Sequence, residues 1–135
     1  MKIRKGKTKD AEGCVNLQKL YKENFWKKKN FEESAKNKDA IFLVAEIGNK
    51  IVGFILGMVN LVKRDEAFLQ ETRVNKNLRH QGIGTKLVEA FCKFARKKGI
   101  IEIYSEIEKE HAPFYIKNCK FKDRGEHMLI VKKLR

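Results

Sequence analysis

One stretch of this chain gathers residues whose types and spacing can do chemistry: Val74-Asn75-Lys76-Asn77-Leu78-Arg79-His80-Gln81-Gly82-Ile83-Gly84-Thr85-Lys86-Leu87. A strand-like run ends at Val74, and a clear helical pattern begins at Thr85. Between them lies a basic loop with two glycines. The first amides of a helix have no internal partner and carry the positive end of its dipole. Glycines at 82 and 84 let the main chain approach an anion with no Cβ in the way. The arrangement predicts a phosphate cradle at a helix N-terminus. Arg79, His80 and Gln81 add side-chain donors, and Thr85 offers a hydroxyl.

Two common phosphate loops do not fit. A Walker loop needs GxxxxGK[ST], and Gly82-Ile83-Gly84-Thr85-Lys86 has the wrong spacing. A dinucleotide fingerprint needs GxGxxG inside a parallel βαβ unit, but Leu87 stands at the third glycine position and hairpin-type strands precede the loop. The spacing that does fit is V-x-x-x-x-R-x-x-G-x-G-x-x-L, carried by Val74, Arg79, Gly82, Gly84 and Leu87. It resembles the coenzyme A loop of the GNAT superfamily of N-acetyltransferases. The resemblance extends over nearly the whole chain. It is strongest from Glu66 to Phe121 and weakest from Trp26 to Lys38.

The resemblance implies direct transfer of an acetyl group from acetyl-CoA to a primary amine in a ternary complex. By it, the amides near Gln81, Gly82, Ile83, Gly84 and Thr85 hold the coenzyme A pyrophosphate. The preceding strand, at Thr72, Arg73 and Val74, lends its backbone to the pantetheine arm. An amide there, that of Val74, polarises the thioester carbonyl. The strands Glu66–Val74 and Ile100–Ile107 are expected to splay apart, admitting coenzyme from one side and amine from the other. An ammonium must lose a proton before it attacks, so a carboxylate base is needed. Glu71, Glu106 and Glu108 are the candidates near the gap, against the alternative that each is a solvated strand-edge charge. The family's acid for the leaving thiolate is a Tyr within A-x-x-x-Y-x-K-x-G-F. Here Ala112 and Phe121 keep the outer spacing, but Ile116 stands at the Tyr position and Lys120 at the Gly position. A one-residue shift brings in Tyr115, which is the acid expected here. Its alternative is a half-buried packing residue.

These side chains need a scaffold. Met1–Lys5 reads as a strand, and Thr8 or Asp10 can cap a helix running to about Phe25. Trp26–Lys38 is a loop with room for a short helix. Ala40–Ile47, a Gly48-Asn49 turn and Ile51–Val62 form a hairpin, with Gly53 and Gly57 marking a bulge or a close backbone approach. Glu66–Val74 is the next strand. Leu87, Val88, Phe91, Phe94 and Ala95 line one face of a helix that ends at Gly99. Ile100–Ile107 alternates as a strand, Lys109–Asn118 is a short helix with Pro113 in its first turn, and 121–124 with 127–134 read as a final hairpin. The fold class expected is α+β: a mixed, mostly antiparallel sheet of six to seven strands flanked by three to four helices, in one domain spanning residues 1–135.

Composition bounds the alternatives. With 31 Lys+Arg against 17 Asp+Glu, the net charge is +14. A field of that sign draws anions: nucleic acid, acidic proteins or a phosphorylated cofactor. A nucleic-acid-binding or RNA-directed module is the first competing reading, although aromatic–basic interleaving of the base-stacking kind is missing. A coenzyme A-binding protein of this fold without catalysis is the second. Three widely spaced cysteines suit a reducing, cytoplasmic setting. With His80, His111 and His127 they show no ligand spacing, so no metal is expected. Cys92 and Cys119 read as small buried hydrophobes, against a thiol relay. No run is apolar for the roughly 20 residues a spanning helix needs, so no membrane partner is expected. The acceptor, a small-molecule or peptide amine, and the choice between monomer and homodimer stay open.

Overall fold

In the computed structural model, which describes residues 1–135, an apolar run at the centre of the chain builds the middle of a sheet. Strand β2 spans Ala40–Ile47 and β3 spans Lys50–Val59. Ile41 through Ala45 are all buried, which requires cover on both faces. Ile41, Leu43 and Ala45 enter one core of 15 buried residues. Phe42 and Val44 enter a second core of 8 on the other face. Strand β1 (Lys2–Lys5) pairs antiparallel with β2, and β4 (Glu66–Val74) pairs antiparallel with β3. Strand β5 (Glu102–Tyr104) pairs with β4 in parallel. The sheet order is β1-β2-β3-β4-β5.

Helix α3 (Ile83–Lys97) covers the larger core with Ile83, Leu87, Val88, Phe91 and Ala95. It lies close on the sheet because Gly57 has no Cβ, which would collide with the Phe91 ring and the Phe68 carbonyl. The β3–β4 register shifts at Leu56/Gly57. The sequence signal at Gly57 was thus both a bulge and a close approach. On the opposite face, α1 (Ala11–Lys19) and α2 (Lys28–Lys36) bring Ala11, Cys14, Leu17 and Phe31 onto Phe42, Val44, Phe54 and Leu56.

Three expectations are corrected. The sheet has five strands, not six to seven, and the final hairpin does not form. The Asp123 carboxylate accepts the Gly125 amide, and Arg124 reaches across to Glu102. The turn lies where the hairpin would reverse, but residues 126–135 beyond it are exposed and pair with no strand. The strand expected over Ile100–Ile107 is limited to Glu102–Tyr104. Helix α1 stops at Lys19 instead of Phe25 because buried Gln18 folds the chain back. The Gln18 amide group donates to the Trp26 carbonyl at 2.7 Å and accepts the Trp26 amide at 2.9 Å. No helix is long and apolar enough to cross a membrane.

Candidate active site

The loop before α3 is anchored from below and open above. Asn75 accepts the Asn77 amide at 2.9 Å, and half-buried Leu78 packs against the larger core. His80 (φ 66°) and Gly82 (φ 82°) both take left-handed backbone. Helix α3 begins with the Lys86 amide bonding to the Gly82 carbonyl at 3.1 Å. The amides of His80, Gln81, Gly82, Ile83, Gly84 and Thr85 donate to no acceptor in the chain, and no side chain caps the helix. The two glycines do different work. A Cβ on Gly82 would meet nothing within 4 Å, so this position faces open space. A Cβ on Gly84 would press on the Phe114 ring at 3.1 Å, so this position lets the first turn sit close.

Beside that loop, β4 loses its partner on one side. The β4–β5 ladder covers only Glu66–Phe68 against Glu102–Tyr104. The last tie is the Ser105 hydroxyl donating to the Leu69 carbonyl at 2.9 Å. From there to Val74 the strand is paired with β3 alone. The Asn75 amide donates to the Val52 carbonyl at 2.7 Å, and this fixes the phase of the ladder. In antiparallel pairing, bonded and non-bonded residues alternate. Arg73 therefore directs its main chain to β3, while Thr72 and Val74 direct theirs to the open edge.

Tyr115 stands at that edge. It lies in a π-helical turn, Phe114–Asn118, closed by the Cys119 amide on the Phe114 carbonyl at 3.2 Å. A π turn holds one residue more than an α turn. It takes up the extra residue that separates Tyr115 from Phe121 in the shifted motif. Lys120, at the motif's glycine position, has φ 64°. Tyr115 is buried between the rings of Phe114 and Phe121, and its hydroxyl lies 3.3 Å from Thr72 Oγ1. Burial pushes its pKa up, with the Thr72 contact partly opposing, so the phenol stays protonated.

Glu71 occupies the opposite face of β4 and is half-buried. Its carboxylate accepts the Trp26 indole N–H at 3.3 Å and lies 3.8 Å from Arg73. Burial raises its pKa above the usual carboxylate range, and Arg73 and Trp26 only partly offset this. Glu106 and Glu108 are exposed, past the end of β5. Arg79, His80 and Gln81 are exposed around the loop, and Ile83 is buried beneath it. The Arg73 side chain bonds Glu23, on the Glu71 face. No local pattern marks the roles of Tyr21, Glu23 and Trp26, whose bonds to β4 cross 45 to 53 residues. The exposed Glu108, Glu110 and His111 also come together, within 4.8 Å. The cysteines are poor nucleophiles: burial pushes Cys119 up to about 11 and raises Cys14 and Cys92 as well. At the far end of α3 a separate cleft of about 220 Å³ is lined by Lys5, Lys36, Lys38 and Lys98.

Comparison with known proteins identifies the family. Residues 11–121 match the model of the acetyltransferase (GNAT) family. The chain belongs to that family, whose acyl donor is acetyl-CoA. An uncharacterised N-acetyltransferase of Methanocaldococcus jannaschii is 30% identical over 110 residues, covering 77% of this chain and 49% of that protein. The chain thus spans about half the length of that relative. AAC(6')-Iy, solved with the bisubstrate analogue CoA-S-monomethyl-acetylneamine, superposes with a TM-score of 0.81 at 16% identity, covering 98% of this chain and 97% of that one. An aminoglycoside acetyltransferase from an uncultured soil sample, solved with sisomicin, gives a TM-score of 0.74 at 20% identity, covering 99% of this chain and 95% of that one. At these identities the two solved structures speak for the fold.

Proposed function

We propose that this chain is an acetyl-CoA-dependent N-acetyltransferase acting on a primary amine by direct transfer. The observation that carries the reading is the run of unpaired amides from His80 to Thr85, set next to the open edge of β4. Those amides, with the helix dipole behind them, suit a diphosphate. The open space at Gly82 leaves room for one. Bound there, acetyl-CoA supplies an activated thioester.

The chain's own groups then divide the work. Main-chain groups of Thr72 and Val74 align the donor's arm along the open edge. The Val74 amide stabilises negative charge developing on the carbonyl oxygen. Glu71, kept basic enough by its raised pKa, takes a proton from the acceptor's ammonium group, directly or through one water. As the carbon–sulfur bond breaks, Tyr115 Oη gives its proton to the sulfur and regains one from the newly acylated nitrogen. Thr72 Oγ1 holds that hydroxyl in place until then. Acid and base lie on opposite faces of the sheet, so donor and acceptor approach from opposite sides.

The test is calorimetric titration with acetyl-CoA, followed by turnover on sisomicin, spermidine, lysine and a peptide with a free N-terminus, with hydrolysis subtracted. The reading expects micromolar binding and amine-dependent release of coenzyme A. Binding without turnover on any amine would favour a non-catalytic coenzyme A protein. No binding at high micromolar donor would end the proposal.

A further inference from the structure

The connection between α1 and α2, residues Leu20–Lys27, is tied to β4 by side chains that the catalytic scheme leaves unused. Arg73 makes a two-pronged contact with Glu23, Nε to Oε1 at 2.9 Å and Nη2 to Oε2 at 2.7 Å. Its guanidinium lies 4.9 Å from the centre of the Tyr21 ring. The Tyr21 hydroxyl donates to the Val74 carbonyl at 2.8 Å, on the open edge of β4. The same connection delivers the Trp26 indole to Glu71. Phe25 packs edge-on against Trp26 and is 72% exposed. Forked Arg–carboxylate contacts fix geometry as well as adding energy, and stacking on an aromatic face adds to it.

We propose that Arg73 is a positioning residue: through Glu23 and Tyr21 it holds the Leu20–Lys27 connection, and with it Trp26, against Glu71 on the acceptor side of β4. This rests on Glu71 serving the acceptor, as argued above. It gives Arg73 a task other than contacting coenzyme A. Its main chain is committed to β3 and its side chain to Glu23. The Tyr21 hydroxyl meanwhile occupies one lone pair of a carbonyl on the edge where the donor's arm is to lie, leaving the second free. The connection and the donor therefore share one strand edge.

Trp26 is the only tryptophan, so its emission reports this contact without any acceptor. In Arg73→Gln, and separately in Glu23→Gln, the acrylamide quenching constant of Trp26 is expected to rise at least about twofold, with a red shift. Acetyl-CoA affinity should stay within about threefold of the parent. Reversing the pair, Arg73→Glu with Glu23→Arg, is expected to bring the quenching back towards the parent. The emission should also titrate with pH. Glu71 is faced by Arg73, Glu23, His111 and Trp26, and lies within electrostatic reach of Tyr115. The Glu71→Gln substitution should remove the transition, assigning it to Glu71 and not to Glu23 or His111. The Arg73→Gln substitution should move it to higher pH, because a cation that favours the carboxylate is gone. Unchanged quenching in both single variants would overturn the proposal. So would a tenfold or greater loss of acetyl-CoA affinity in Arg73→Gln, which would make Arg73 a coenzyme residue. If the parent itself fails to bind acetyl-CoA, the acetyltransferase reading falls, while the Trp26 signal still decides whether Arg73 holds the connection.

Discussion

On the α3 face of the sheet, 15 buried residues form one core, and helix, loop and Tyr115 all rest on it. On the α1/α2 face the core has 8, and side-chain hydrogen bonds take over much of the positioning. Arg4 grips Asp10 at 2.7 and 3.0 Å, Gln18 holds Trp26, and Arg73 holds Glu23. The face proposed for the coenzyme is built largely on one periodic helix and a short motif. The face proposed for the acceptor depends more on individual side-chain hydrogen bonds. On the proposed reading, a fixed motif meets the donor, while individual side chains shape the wall that meets the acceptor.

The sharpest way to break this contrast is at Gly82. Replacing it with Glu puts a carboxylate into the cradle and forces left-handed backbone on a residue that resists it. Acetyl-CoA affinity should fall by at least about 100-fold, read by calorimetry, with the melting transition retained. Asn tolerates φ above zero, so Gly82→Asn should keep the fold and bind better than Gly82→Glu.

The next largest effects separate the faces. Changing Tyr115→Phe should lower kcat about 100-fold while acetyl-CoA affinity holds within about threefold. Changing Glu71→Gln should cost a similar factor of about 100 in kcat/KM for the amine. Its signature is in the pH profile. Protonated Glu71 accepts no proton, so activity falls as pH drops through its raised pKa, above the usual carboxylate range. In Glu71→Gln that acid limb should vanish. Glu106→Gln, at an exposed carboxylate, should change kcat/KM by less than about threefold. A larger loss there, with Glu71→Gln near the parent, would move the base to Glu106, beyond the end of β5.

The smallest effect concerns stability alone. Burial pushes Asp10 up, but the Arg4 hydrogen bonds and the Lys7 amide outweigh it and hold the carboxyl below its ordinary value. A depressed carboxyl contributes stability above its unfolded pKa of about 3.9 and loses it as pH falls through the folded value. Asp10→Asn should therefore lower unfolding free energy by about 2 kcal/mol at pH 7, the scale of a hydrogen bond to a charged group. The gap to the parent should narrow near pH 3 in urea melts.

Sequence reasoning reached the parts made of repeats and short spacings. The β2–β3 hairpin follows from two apolar runs on either side of Gly48-Asn49, and the buried stripe of α3 from a 3.6-residue period. The loop follows from two glycines and an arginine. It failed where one side chain overrules a pattern. Gln18 ends α1 six residues early, although Tyr21 and Phe25 continue its apolar face. The apolar run at Met128–Val131 stays exposed and joins no ladder, although its composition reads as a strand. The shift at Tyr115 was visible as a broken motif, but only the π turn explains where the extra residue goes. Glu71 was one carboxylate among three until burial and the Trp26 indole set it apart.

The account rests on anion binding by main-chain amides at the start of α3. An amide-resolved NMR titration with acetyl-CoA tests this directly. Saturable shifts are expected, concentrated at His80 through Thr85, with Thr72 and Val74 following. Shifts confined to the lysine-lined cleft around Lys36, Lys38 and Lys98, with the Gly82 amide unmoved, would contradict it.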